Sequence, residues 1–201
     1  MDEIVKAAIS KWPNVPHCFG WLALDARGNW RMRDERAQTL NLPGDKIRNA
    51  ALLGFINRNY QHDEQGRWYF QNGPQRVYVD LATTPYIAHT SPTEGFILQT
   101  GATLAGIDAI FLSAEGQLFL RAGPILAQLD DRDLAGCLRN IQLNGNPVSD
   151  EELMAWLDKK EQTPPIDIEL SLSQQQTLPI QHGELNALMA LFAYEATPRQ
   201  A

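Results

Sequence analysis

Cysteine is scarce in this 201-residue sequence, which has two, Cys18 and Cys137, far apart and without the paired spacing of a zinc site. Two such residues cannot form the disulfide framework of a small secreted scaffold, and structural zinc is disfavoured on the same ground. Long hydrophobic runs are also missing, since no stretch approaches the roughly 18 apolar residues of a membrane-spanning helix. The acidic N-terminal stretch has no signal-peptide pattern. We therefore expect a soluble, cytoplasmic protein with no membrane partner.

An excess of basic charge is lacking as well, because the net charge is −7. Residues 1–100 carry 11 Lys and Arg against 10 Asp and Glu, a net of +1, whereas residues 101–201 carry 6 against 14, a net of −8. Binding to a phosphate backbone requires a basic surface. We therefore expect no nucleic-acid partner, and we interpret the acidic excess as the solvated faces of C-terminal helices.

Motifs for catalysis and cofactor binding are absent too. The sequence has no Gly-x-Ser-x-Gly elbow, no Walker lysine and no dinucleotide fingerprint. His17 and Cys18 cannot form a catalytic pair with each other, because adjacent side chains diverge in an extended chain. The acidic groups at residues 62–64 and 130–133 are most simply a solvated turn and a helix N-terminus. We therefore predict no catalytic residue, no metal site and no cofactor.

What the sequence does contain is an ordinary globular composition, 44% hydrophobic and 20% charged, and a turn pattern that occurs three times. The turns are Asp-Ala-Arg-Gly at 25–28, Asp-Glu-Gln-Gly at 63–66 and Ser-Ala-Glu-Gly at 113–116. A polar residue followed three positions later by glycine favours a type I turn whose last residue adopts the left-handed region. The pattern predicts three β-hairpins, which we interpret as recurrent turn chemistry rather than an internal duplication.

Helical periodicity alternates with these strand patterns. It predicts helices over residues 2–11, 46–59, 130–141 and 184–195, and another that begins at a capping box of Ser149 and Glu152. The stretch "PPIDIELSL" (164–172) predicts a strand between the last two helices. Together these patterns indicate an α+β fold with mostly antiparallel, hairpin-rich sheets, helices packed on one face and a C-terminal helix-strand-helix portion. The "NGNP" segment predicts a division into residues 1–145 and 146–201.

The stretch "DEQGRWYFQNGPQRVYV" (63–79) is rich in polar and aromatic residues for a hairpin. Strand alternation predicts a core face of Trp68, Phe70, Val77, Val79 and Leu81. It predicts an opposite face of Arg67, Tyr69, Gln71, Arg76, Tyr78 and Asp80. Pro74 lacks the N–H that would close a tight turn at Asn72-Gly73, so we expect a wider loop there.

This opposite face, together with "INRNY" (56–60) and the "QNGPQ" loop, is the candidate binding surface. Its guanidinium, amide and phenol groups suit a carboxylate, a peptide backbone or a small polar metabolite. The candidate residues are Arg58, Asn59, Tyr69, Gln71, Asn72, Gln75, Arg76 and Tyr78, with Tyr60 nearby in sequence. The alternative is an internal network in which Arg76 pairs with Asp80 or a helix carboxylate.

The stretch "FINRNYQHDEQGRWYFQNGPQRVYVDLATTPYI" and the later "EGQLFL" resemble a mainly proteobacterial family known only as a domain of unknown function. The similarity spans roughly residues 17–121, and its most distinctive element is "FQNGPQRVYV". This resemblance implies a small cytoplasmic α+β protein and supplies no catalytic residue to transfer.

Three hypotheses for the function remain. The leading one is a non-catalytic module that binds a small polar ligand or a protein partner through its Arg/Tyr/Gln-rich face. The second is an enzyme for a small polar or carbonyl substrate, in which Arg58 or Arg76 anchors an anion. Tyr78 or Asp80 would then be the acid or base. The third is a structural homo-oligomer subunit whose aromatic hairpin face is the seam between copies.

Overall fold

The computed structural model describes residues 1–143, 145–158, 168–173 and 176–200, and within them the chain forms six helices and fifteen strands of an α+β fold. The helices are α1 (Glu3–Lys11), α2 (Glu35–Thr39), α3 (Ala50–Arg58), α4 (Asp131–Leu138), α5 (Asp150–Asp158) and α6 (Leu185–Leu191). None of these helices is both long and apolar enough to cross a bilayer. The chain divides into two compact units. The first comprises Met1–Pro85, Gln99–Gly101 and Met189–Ala201, and the second comprises Tyr86–Leu98 and Ala102–Leu188.

The first unit contains a mixed sheet. Its strands are β1 (Cys18–Leu24), β2 (Trp30–Met32), β3 (Asp45–Lys46), β4 (Tyr60–His62), β5 (Trp68–Asn72) and β6 (Gln75–Leu81), in the spatial order β3-β2-β1-β6-β5-β4. Strands β1 and β6 run parallel, and the other neighbours are antiparallel. Strand β6 lies in the interior of the sheet, and its residues Tyr78 and Val79 are almost completely buried.

The second unit is built on a larger mixed sheet. Its strands are β7 (Tyr86–Ser91), β8 (Gly95–Leu98), β9 (Ala109–Leu112), β10 (Leu118–Ala122), β11 (Ile125–Leu129), β12 (Ile141–Leu143), β13 (Asn146–Pro147), β14 (Ile168–Ser173) and β15 (Gln176–His182). They lie in the order β13-β12-β14-β15-β9-β10-β11-β7-β8. Ile110, Leu120 and Trp156 belong to the hydrophobic core that forms on this sheet.

All three predicted hairpin turns form, and they share one geometry. The glycines Gly28, Gly66 and Gly116 have φ angles of +73°, +73° and +79°. The amide of each glycine donates to the carbonyl oxygen of the residue three positions earlier, at 2.9–3.1 Å. Glycine adopts these angles at little cost, so a glycine three positions after a polar residue predicts this turn from sequence alone.

The start of α3 was predicted wrongly. The helix begins at Ala50 rather than near Lys46, because Lys46 pairs with Arg31 in the short strand β3. Asn49 caps the helix, and its side-chain oxygen accepts from the Leu52 amide at 3.0 Å. The apolar periodicity of residues 47–56 therefore extended beyond the helix itself.

The wide loop predicted after Asn72 was also wrong. Asn72 pairs with Gln75 across a two-residue turn of Gly73 and Pro74. The φ of Gly73, +55°, suits the first central position of a type II′ turn, and the fixed negative φ of proline suits the second. The strand pairing uses the backbone of Asn72 and Gln75, so the N–H that Pro74 lacks is not needed.

The last part of the chain contains a strand, β15, that the sequence pattern does not predict. Strand β15 pairs with β14 antiparallel and with β9 parallel. The predicted capping box forms, since the Glu152 amide donates to the Ser149 hydroxyl at 3.2 Å and the Ser149 amide donates to Glu152 at 2.9 Å. Residues 164–167 of the predicted late strand lie outside the described residues. The division at residue 145 stays a prediction, and that position lies within the second unit.

Candidate functional site

The candidate site is built on the turn that joins β4 to β5. Oδ1 of Asp63 accepts from the backbone amides of Gln65 and Arg67, both at 3.0 Å. Oδ2 accepts from Nε of Arg67 at 2.8 Å and from the Tyr78 hydroxyl at 3.0 Å. Burial alone would raise the pKa of Asp63, but these hydrogen bonds outweigh burial and hold the pKa below its usual value. Asp63 is therefore an ionised carboxylate with both oxygens engaged.

Tyr78 lies in the middle of the Arg/Tyr/Gln-rich face of β5 and β6, and it is 1% exposed. Its ring stacks on that of Phe19, with centroids 4.5 Å apart, and the guanidinium of Arg67 lies over it at 4.9 Å from the centroid. Tyr69, the partner of Tyr78 across β5 and β6, lies with its ring centroid 5.6 Å away. The structure thus places both tyrosines on one face of the sheet, packed by neighbours rather than open to solvent.

Arg76 differs from the other arginines of this face in its partners. Its guanidinium lies over the Tyr69 ring, 4.6 Å from the centroid, and within the described residues it forms no ion pair with a carboxylate. Burial alone would lower the pKa of Arg76, but the hydrogen bond with Tyr78 and the surrounding phenols outweigh burial and raise it. Asp80, the expected partner of Arg76, pairs instead with Arg33 and Arg199. The positive charge of Arg76 is therefore available.

A surface cleft of about 390 Å³ opens beside Arg76. Its lining consists of His62, Asp63, Glu64, Gln65, Arg67, Tyr69 and Arg76. In this lining Arg67 is already paired with Asp63. The remaining charged side chains are Arg76 and the exposed Glu64, so Arg76 is the cation that can interact with an incoming anion. A volume of this size accommodates a small metabolite.

His17 lies at the edge of the same cluster. Its ring meets Tyr78 edge to face, with centroids 5.8 Å apart. Burial, together with the positive charges of Arg76 and Arg67, lowers the pKa of His17. The imidazole is therefore neutral at pH 7, and it neither adds to nor offsets the charge of Arg76.

Several predicted residues lie outside this cluster and stabilise the fold. Arg58 pairs with Asp2 at 3.3 Å, and Asn59, 1% exposed, accepts from the Asp2 amide at 2.8 Å. Tyr60 donates to the carbonyl oxygen of Pro85 at 2.9 Å. These contacts hold two segments in place within the first unit: the start of α1, and the end of the loop that follows β6.

The predicted amides have local partners as well. Gln71 donates to the carbonyl oxygen of Gly73 at 2.9 Å, and Gln75 donates to that of Pro16 at 2.9 Å. Asn72 is exposed and pairs with Gln75 through the backbone. Of the eight predicted residues, the structure therefore brings together Tyr69, Arg76 and Tyr78.

Asp63 and His17 complete the cluster, and neither was among the predicted site residues. A signal for Asp63 was present, because Asp25 holds the same place in the first hairpin turn. Oδ2 of Asp25 accepts from Nε of Arg31 at 2.7 Å, as Asp63 accepts from Arg67. The repeated turn therefore places an arginine beside each aspartate. His17 gave no such signal.

The part of the chain that the structure describes gives the placement of the possible metal ligands and of the buried cysteine. It holds no group of three or more His, Cys, Asp or Glu side chains placed to bind a metal ion. Cys137 is buried, and burial raises the pKa of its thiol to about 11, which keeps it protonated at neutral pH.

One protein-family model spans nearly the whole chain, over residues 1–199, and is described as a protein of unknown function (DUF2946). The chain belongs to this family, DUF2944. The membership confirms the expected resemblance to a family of unknown function, and it includes the C-terminal portion.

Two solved structures are similar to this DUF2944 chain. A DUF1285 family protein from Silicibacter pomeroyi DSS-3 has 13% sequence identity and a TM-score of 0.48, with 90% of this chain and 96% of that chain covered. A DUF1285 family protein from Shewanella baltica OS155 has 12% identity and a TM-score of 0.39, with 58% of this chain and 88% of that chain covered. No curated protein matches the chain.

Proposed function

We propose that this DUF2944 protein is a non-catalytic binding module, and that the cleft beside Arg76 takes the carboxylate or phosphate group of a small polar metabolite. The observation that supports this proposal is the guanidinium of Arg76. It is held over the Tyr69 ring and partly buried, without a carboxylate partner among the described residues. A guanidinium in this state is oriented in advance for an oxyanion, because its planar fork matches two oxygen acceptors.

The surroundings of Arg76 favour binding over proton transfer. Tyr78 donates its hydroxyl to Asp63, and Asp80 accepts from two arginines. Both groups that would serve as acid or base are thus engaged in other bonds. Burial of the two tyrosine rings, 5% exposed for Tyr69 and 1% for Tyr78, also favours a ligand cleft over an aromatic seam between copies.

The experiment is a thermal-shift screen of the full chain against small polar hydroxycarboxylates and phosphate esters, which lack an extended apolar body, followed by calorimetric titration of any hit. A ligand at about 100 times its dissociation constant adds roughly 2.7 kcal/mol to the stability of the folded state, which a melting curve resolves. Arg76→Ala should remove the shift.

Arg48→Ala is the matched control, because Arg48 is exposed and its replacement changes the net charge equally. We expect this variant to bind as the wild type does. Equal binding by Arg76→Ala and the wild type, or no shift with any compound, would contradict the proposal.

A further inference from the structure

A second polar cluster lies on the same sheet, at the end of β6 away from the Gly73–Pro74 turn. Asp80, 7% exposed, accepts from Arg33 at 2.5 Å through one oxygen and from Arg199 at 2.7 Å through the other. Two guanidinium groups thus share one carboxylate. The cluster retains one positive charge beyond what Asp80 neutralises.

Arg33 is the fixed member of this cluster. It is 8% exposed, and its guanidinium also donates to the carbonyl oxygen of Leu42 at 3.2 Å and to the side-chain oxygen of Asn41 at 3.3 Å. Asn41 has a φ of +49°, in the left-handed region that asparagine adopts more readily than most other non-glycine residues. The loop at residues 40–44 is therefore held in one conformation around a buried cation.

Arg199 is the exposed member, with 59% of its side chain accessible. One of its terminal nitrogens binds both Asp80 and the carbonyl oxygen of Pro198. Its other two nitrogens have no hydrogen-bond partner among the described residues. Arg199 can therefore bind an added anion and keep its bond to Asp80.

A cleft of about 330 Å³ adjoins these residues. Arg31 also lines it, but Arg31 is balanced by Asp25 at 2.7 Å. The rest of the lining is largely apolar and comes from Ala23, Leu24, Leu42, Pro43, Leu81 and Ala82. The cleft thus has a cationic end and an apolar wall, and the anion of its ligand should carry an apolar body.

We propose that this cleft, between the Arg33–Asp80–Arg199 cluster and the loop at residues 40–44, binds a small monocarboxylate with an aliphatic or aromatic body. The carboxylate pairs with Arg199, and the body packs on Leu42 and Pro43. This site is separate from the cleft beside Arg76, because the two linings share no residue. It does not depend on the function proposed for that cleft.

The test is calorimetric titration of the full chain with hexanoate and phenylacetate, compared with the neutral hexanamide and with inorganic phosphate. We expect both carboxylates to bind the wild type. Hexanamide lacks the charge and phosphate lacks the apolar body, so each should bind at least about tenfold more weakly. A fold change of this size corresponds to roughly 1.4 kcal/mol.

Variants distinguish this site from the first one. Arg199→Ala removes an exposed side chain, so the protein should still fold, which its melting curve checks, and the affinity for hexanoate should fall about tenfold or more. Arg76→Ala and Arg48→Ala should bind hexanoate as the wild type does. Unchanged affinity in Arg199→Ala, or hexanamide or phosphate binding as tightly as hexanoate, would overturn the proposal. Loss of hexanoate binding in Arg76→Ala alone would assign the ligand to the other cleft and also overturn it.

Discussion

Asp63 and Asp80 are two carboxylates on one sheet with different neighbours. Asp63 binds one arginine, one tyrosine and the backbone of its own turn, whereas Asp80 binds two arginines. At Asp63 the carboxylate neutralises the positive charge of its one arginine partner, Arg67. At Asp80 one carboxylate faces two guanidinium groups, so a net charge of +1 remains. At the scale of single residues, this balance of partners decides where an anion can bind.

The hydroxyl of Tyr78 gives a prediction at this scale. Tyr78→Phe removes a buried hydrogen bond to an ionised acceptor, so it should lower the free energy of unfolding by roughly 1–2 kcal/mol in urea denaturation. Tyr69→Phe is the control, because the Tyr69 hydroxyl has no hydrogen-bond partner among the described residues. Equal losses in the two variants would contradict the assigned role of the Tyr78–Asp63 bond.

Single residues also show which contacts can be predicted from the sequence and which cannot. Parity along β5 and β6 placed Tyr69, Arg76 and Tyr78 on one face, because side-chain direction in a strand is a local property. The partners of Asn59 and Asp80 are not local, since Asp2 lies 57 residues from Asn59 and Arg199 lies 119 residues from Asp80. No periodicity in the sequence indicates such pairs.

At the scale of elements, the three hairpin turns allow a comparison of two glycines. Gly66 and Gly116 have nearly the same positive φ. A Cβ at Gly66 would overlap the carbonyl oxygen of Ala193, whereas a Cβ at Gly116 would meet nothing within 4 Å. Gly116→Ala should therefore cost about 1 kcal/mol, from the backbone conformation alone. Gly66→Ala should cost about 3 kcal/mol or more, because backbone must move.

Thermal or urea unfolding of the two glycine variants tests this difference. Equal destabilisation would show that the segment after α6 does not pack on the turn as the structure describes. A larger loss for Gly116→Ala would contradict the explanation outright.

The start of α4 predicts a pH dependence. Asp130 is fully buried and accepts from the Arg132 amide at 2.9 Å. It forms an ion pair with the Arg132 guanidinium, and its Oδ2 lies 3.2 Å from Nδ1 of His89. Burial alone would raise the pKa of Asp130, but the bonds with Arg132 outweigh it and lower the pKa to about 2. Since the folded-state pKa lies below the unfolded value of roughly 4, the stabilisation is present above that pH. It is lost as the pH falls towards 2.

Asp130→Asn tests this dependence, because asparagine retains the helix cap but not the charge. The free energy of unfolding, measured in urea from pH 5 to pH 2, should fall less steeply for the variant than for the wild type. His89, Asp131 and Asp133 also face this position and remain in both proteins. Parallel curves would show that Asp130 does not contribute.

Elements differ in how readily the sequence reveals them. The hairpin turns and the Ser149/Glu152 capping box depend on residues three positions apart, and they were predicted. Strand β15 was missed because Pro179 and its glutamines obscure the alternation, and because its pairing with β9 joins residues about 70 positions apart. Its place is fixed by the sheet rather than by its own propensity.

At the scale of the whole molecule, each unit is assembled from separate parts of the chain. The first unit includes the segment from Met189 onward. In this segment Tyr194 donates its hydroxyl to the carbonyl oxygen of Thr83 at 3.1 Å. The Leu81 amide donates to the carbonyl oxygen of Ala196 at 2.7 Å. The Glu195 amide donates to the carbonyl oxygen of Gly66 at 3.1 Å. These bonds hold the end of β6 and the turn at residues 63–66.

A chain that ends at Leu188 should lose protection at the end of β6. The Leu81 amide loses its acceptor, so its hydrogen exchange should accelerate on the order of tenfold or more. The Leu120 amide, in the β10–β11 part of the second unit, should exchange as before. Tyr194→Phe, which removes one hydroxyl, should give a smaller effect. Unchanged exchange at Leu81 would contradict the role assigned to this segment.

The position of these residues in the chain has a consequence for biosynthesis. Residues 1–85 are synthesised before every strand of the second unit, and the segment from Met189 that completes their unit is synthesised after all of those strands. Residues 1–85 are therefore synthesised well before Tyr194 and Arg199, with which they pair in the folded unit. The first unit is thus begun before the second and completed after it, and the Arg33–Asp80–Arg199 cluster can form only after residue 199 has been added to the growing chain.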